Sequence, residues 1–167
     1  MIGKNGNIEA ALQIIISLGL PRAQQNERSA LSLLALLNLK PENSWAEAEN
    51  PLVGITPIMD WVREHYAKEY APNSRETFRR QTLHQFCDAG VALYNPDKLN
   101  RPVNSPKAVY QIEPSALVLL RTFGTPQWHA NLTAYLADRE TLVAKYAKER
   151  KQNCISIEIA PGKEITF

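Results

Sequence analysis

The side chains best suited to do chemistry lie between positions 73 and 107. Asn73–Gly90 reads as one helix, with Asn73 and Glu76 spaced as a capping box and Gly90 as a C-cap. At about 100° per residue, Phe78, Thr82, Leu83, Phe86 and Cys87 share an apolar face. Thr77, Arg80, Gln81, His84 and Asp88 share the opposite face. Arg75 and Arg79 fall towards the buried flank. Arg75 sits in the first turn and can still reach outward, whereas Arg79 is placed either as a contact or as a brace of the fold. A polar loop follows, carrying Lys98, Arg101, Asn104 and Lys107 among its prolines and asparagines. Arginine and glutamine suit bidentate contacts with guanine and adenine in the DNA major groove. Thr77, Asn104 and Ser105 have the hydroxyl and amide groups that position on phosphates.

The charge distribution supports a local polyanion surface and nothing wider. Six lysines or arginines stand against three acids from Arg75 to Lys107, in a chain whose net charge is only +2. Between Pro41 and Tyr70 six acids oppose two bases, so that surface should avoid phosphate. The same pattern also fits a solvated amphipathic helix beside an ordinary polar loop, and composition alone does not decide between them.

Other chemistries find less support. His65, His84 and His129 show no HxxxH or HExxH spacing, and Cys87 and Cys154 form no CxxC, so no metal is expected. His84 is placed on the reading face; His65 and His129 are taken as structural. There is no GxSxG and no glycine-rich phosphate loop. Glu149, Arg150 and Lys151 match the acid-x-Lys string of magnesium nucleases, but they fall at the end of a helix that would splay them apart. No catalytic residue is assigned, and no cofactor is expected in this chain.

Several elements must position the 73–90 helix. Residues 1–7 read as a flexible N-terminus. A first helix starts at Ile8 and stops at Gly19. A second is expected from Arg22 to Leu39, apolar on most sides from Leu31 to Leu37 and therefore central. A third is expected from Thr56 as N-cap, with Pro57 at its first position, to about Tyr70. After the 73–90 helix come a strand at Val91–Tyr94, the loop, and a return strand at Lys107–Ile112. Helix, strand, long polar loop and strand in that order predict a winged helix-turn-helix. Ser115–Arg121 reads as a short helix and Gln127–Lys151 as a long one. Ile155–Ile159 and Ile165–Phe167 read as the strands of a C-terminal hairpin. The fold class is thus mainly α: a winged helix-turn-helix with flanking helices and a C-terminal β-hairpin leading to an absent domain. The divisions are 1–7, a DNA-binding domain at 8–124, a connecting helix at 125–153, and the start of a following domain at 154–167. With no signal peptide and no membrane-length apolar run, the expected location is cytoplasmic.

Several strings carry a resemblance. Leu20–Leu37, Asn50–Asp60, Tyr70–Phe86, Arg101–Lys107 and Gly162–Thr166 look like the opening half of the BsuBI/PstI-type restriction endonucleases, and the similarity covers nearly the whole chain from Ile8. The resemblance implies a type II enzyme with two parts. An N-terminal helix-turn-helix domain helps read a palindromic CTGCAG-like site, and a C-terminal PD-(D/E)xK domain binds magnesium and cuts. It also implies double-stranded DNA as partner and a two-fold dimer of the parent enzyme. This chain corresponds to the first part and is expected to be catalytically inactive alone. The alternative is a stand-alone winged-helix transcription regulator, dimerising through the 127–151 helix. A further reading makes the wing a protein–protein surface.

Overall fold

Leu31, Leu33, Leu34, Leu36 and Leu37 are all at most 1% exposed, which places their helix, α2 (Glu27–Leu36), at the centre of the molecule. The structure is a computed structural model describing residues 4–98, 100–102, 105 and 107–139. These residues are mainly helical, with a single two-stranded hairpin among them. Each fully buried leucine contributes about 1.5–3 kcal/mol by leaving water. A helix that is apolar all round is therefore stable only when other elements cover every side of it.

α1 (Lys4–Ser17) covers one side with Ile8, Ala11, Ile14 and Ile15, and Gly19 ends it at φ +77°. The expected fraying of residues 1–7 is corrected from Lys4 onward. Asn7 is fully buried and its Nδ2 donates to Tyr66 Oη (3.1 Å) and to the Lys40 carbonyl (3.2 Å), which holds the first turn down. α2 also starts later than expected. Arg22–Gln24 is a separate 3₁₀ turn, and the Asn26 side chain accepts from the Ser29 amide at 2.9 Å to begin the helix at Glu27.

α3 (Ile55–Tyr66) packs on α2. Its N-cap is Gly54 rather than the expected Thr56, whose hydroxyl accepts from Arg75 Nε instead (2.9 Å). It stops at Tyr66 rather than near Tyr70 because Ala67 turns left-handed at φ +56°. Tyr70 lies beyond the helix and packs edge-on against Phe78, with ring centroids 5.0 Å apart.

After a 3₁₀ turn at Pro72–Ser74, α4 (Arg75–Phe78), a π turn (Arg79–Leu83) and α5 (His84–Asp88) run on as one segmented helix. The capping box expected of Asn73 does not form. Ser74 is the N-cap without a side-chain bond, and the Glu76 carboxylate pairs with Arg79 and Arg80. Gly90 takes φ +78° just past the end, as a C-terminal glycine should.

Strands β1 (Ala92–Tyr94) and β2 (Tyr110–Ile112) pair antiparallel, with Leu93 opposite Gln111. Both are shorter than expected. Val53 adds a bridge on the far side of β2 by exchanging two hydrogen bonds with Tyr110 (2.9 and 2.8 Å). α6 (Pro114–Leu120) is capped by Glu113, whose carboxylate accepts from the Ala116 amide at 3.1 Å. Residues 128–139 form a further helix, α7, which buries Trp128 and Tyr135. The rest of the expected 127–151 helix, Cys154 and the hairpin expected at 154–167 lie outside the described residues. Within the described residues no helix is long and apolar enough to cross a membrane.

Candidate nucleic-acid interface

The segmented 75–88 helix is held from beneath. Phe78, Thr82, Leu83, Phe86 and Cys87 are buried, as the helical spacing requires. The helix packs against α2 and α3 and against β1. Arg28 of α2 donates from Nε to Thr82 Oγ1 at 2.9 Å, which ties the central helix to the π turn.

The opposite side carries the polar groups. The Arg80 side chain is 72% exposed, Gln81 is exposed, and Thr77 is half-buried beside them. Arg75 is exposed and its guanidinium is steadied by Thr56. Arg79 lies flatter, with its side chain only 21% exposed. Its Nε and Nη2 each donate to one oxygen of Glu76 at 2.9 Å, a bidentate pair. Arg80 Nε meets the same carboxylate at 3.0 Å. The hydrogen bond from Arg79 holds the Glu76 carboxyl below its ordinary value, with both guanidinium charges adding to the effect. Arg79 is raised in return. Glu76, read in the sequence as a capping-box partner, instead pairs with two arginines that the helical wheel did not connect to it. Its spacing of three and four residues from two arginines was the available signal.

His84 stands elsewhere than the sequence suggested. It faces inward, its ring 5.6 Å from Tyr94 and 6.1 Å from Tyr110, with Nε2 buried and without a hydrogen-bond partner. The π turn is the cause. Each residue within it advances less around the axis than in an α-helix, so the residues beyond it swing back towards the hairpin. Burial, and next the charge of Arg79, lower the His84 pKa, so the ring favours its neutral form.

The loop between the strands divides its cations. Lys98 and Lys107 are exposed. Arg101 is turned inward, its side chain 12% exposed, donating to Asn95 Oδ1 (2.9 Å) and forming a two-pronged pair with Asp97 (3.1 Å). Asn95, buried at φ +51°, also accepts from the Val109 amide, so Arg101, one of the cations the sequence offered for DNA, closes the loop on itself. Asn104 lies outside the described residues. A cleft of about 190 Å³ joins loop to helix. Arg75, Arg79, Ser105 and Lys107 line it together with Gly54 and Thr56 from the start of α3, and among the described residues no carboxylate does. No side chain caps the first turn of α3, so its amides add positive character to the same cleft. His65, 4.9 Å from the Trp61 ring, packs on the outer side of α3.

Comparison with known proteins places this arrangement. Residues 5–144 match the model of the BsuBI/PstI restriction endonuclease HTH domain. The chain belongs to the BsuBI/PstI restriction endonuclease family. It is 60% identical to the type II restriction enzyme BsuBI of Bacillus subtilis over 163 residues, 98% of this chain and 52% of that protein. It is 39% identical to the type II restriction enzyme AplI of Arthrospira platensis over 157 residues, 94% of this chain and 48% of that one. Among solved structures, that of the SdaI restriction endonuclease superposes with a TM-score of 0.76 at 38% identity, over 85% of this chain and 44% of that one. The chain thus spans about half the length of the curated relatives it matches. In this BsuBI/PstI family member, no three His, Cys, Asp or Glu side chains gather among the described residues into a set that could hold a metal ion.

Proposed function

We propose that this chain is the DNA-recognition domain of a type II restriction endonuclease that acts on a CTGCAG-like site. α3 and the 75–88 helix form the helix-turn-helix pair, and β1, the 95–109 loop and β2 form the wing. Arg80 and Gln81, with Thr77, enter the major groove. Arg75, Lys98 and Lys107 hold the phosphate backbone on either side. The observation that carries this reading is the carboxylate-free cleft shared by Arg75, Arg79 and Lys107, which links the outer face of the helix to the loop. A cationic notch bridging helix and wing suits a sugar–phosphate chain running between them. Being 60% identical to a type II restriction enzyme supports the parent activity.

Cleavage is proposed for a part of the whole enzyme other than the described residues, with magnesium bound there. A palindromic site favours a two-fold dimer of that enzyme. The test is a titration of the 167-residue chain against CTGCAG and scrambled duplexes at two salt concentrations, with magnesium present in one series. The expected outcome is tighter binding to CTGCAG, affinity falling as salt rises, and no cutting. Equal, salt-independent affinity for both duplexes would overturn the reading.

A further inference from the structure

The three-way contact around Glu76 divides labour between two neighbouring arginines. Its carboxylate accepts from Arg79 Nε and Nη2, so two of the three nitrogens of that guanidinium are used. With Arg80 it forms an ion pair, Nε standing 3.0 Å from the carboxylate. The Arg80 side chain is the more exposed of the two, at 72% against 21%, so its terminal nitrogens lie towards solvent. Those terminal nitrogens are the fork that matches O6 and N7 of guanine. Glu76 is also the acid set among Arg75, Arg79 and Arg80 in the first turns of the helix, with Asp88 at its far end. A carboxylate there repels phosphate and so weakens binding to any duplex.

We infer that Glu76 is a specificity-determining positioning residue: it spends Arg79 as a brace, holds Arg80 by Nε with its fork presented outward, and suppresses sequence-independent binding. The inference rests on the DNA-recognition reading above. A guanidinium already aimed loses less side-chain freedom on docking, which favours the correct base edge over a general phosphate contact. An ordinary exposed ion pair would contribute little in either direction.

Glu76→Gln, which keeps the shape and removes the charge, and Glu76→Ala separate these cases in the 167-residue chain. Affinity for the CTGCAG duplex is expected to fall about tenfold or more in Glu76→Ala, within the range for losing one base contact. Affinity for the scrambled duplex is expected to rise in both variants, because a negative charge has left a phosphate-facing surface. Opposite movement of the two affinities is an outcome that mere loss of structure does not produce. Parallel loss on both duplexes, or an unchanged ratio, overturns the inference. A second measurement needs no DNA: the Nε–H protons of Arg79 and Arg80 are expected to exchange slowly with water in the unaltered chain and fast in Glu76→Ala. If they exchange alike in both, the brace does not exist and the inference falls. Protected protons in a chain that binds neither duplex would overturn the recognition reading instead, and the specificity role with it.

Discussion

Arg28 reaches from the central helix to Thr82 at the π turn, Nε to Oγ1 at 2.9 Å, and so couples the hydrophobic core to the helix that bears the exposed arginines. Thr82 is fully buried and Arg28 half-buried, so neither group finds water easily if its partner is removed. Arg28→Ala is expected to destabilise the chain by about 1–3 kcal/mol, the usual cost of orphaning a buried partner of a charged donor. Urea unfolding at constant m-value checks it.

Tyr66 ties the first helix to the third. Its hydroxyl donates to the Leu39 carbonyl (2.8 Å) and accepts from Asn7 Nδ2 (3.1 Å). Tyr66→Phe keeps the ring and removes both bonds. The expected loss is about 1–3 kcal/mol. Amide hydrogen exchange in the first turn of α1 should quicken more than elsewhere, since Asn7 keeps only its bond to Lys40.

Acidity should act through His84. Its folded pKa lies below the ordinary 6.5, first because it is buried and then because Arg79 is near. Below 6.5 the unfolded chain therefore binds more protons than the folded one, and stability is lost as pH falls from there through the folded value. His84→Asn is expected to flatten the decline just below pH 6.5 relative to the unaltered chain. Thermal melts across that window, with an NMR titration of the ring showing a midpoint below 6.5, check both the sign and the cause.

Readers and holders of DNA should separate in their salt behaviour. Arg80→Ala is expected to cost about 1–3 kcal/mol at a CTGCAG duplex, whereas Lys107→Ala should weaken every duplex alike and reduce the salt slope by about one. If Arg80→Ala and Gln81→Ala together leave site-specific affinity unchanged, the groove assignment is wrong.

Much of the scaffold is legible in the sequence itself. The leucine run of α2 predicted a central helix, and Phe78, Leu83 and Phe86 predicted the buried side of the 75–88 helix; both follow from the period of hydrophobicity. Element ends were read less well, because they turn on single side chains with two possible partners. Thr56 could cap α3 or accept from Arg75, and only the packing of the 75–88 helix beside α3 selects the second.

The candidate site was legible by residue type but not by direction. Composition and order alone determined a helix rich in arginine and glutamine, a polar loop after it, and the resemblance to the BsuBI/PstI enzymes, since each depends only on local propensity and on strings of residues. The tertiary structure decided which cations face outward. The π turn swung His84 under the helix, Asn95 and Asp97 drew Arg101 into the loop, and Glu76 laid Arg79 down while leaving the fork of Arg80 exposed. A fixed turn of about 100° per residue cannot register a widened turn. Nor can a count of charges show which of them have already found partners.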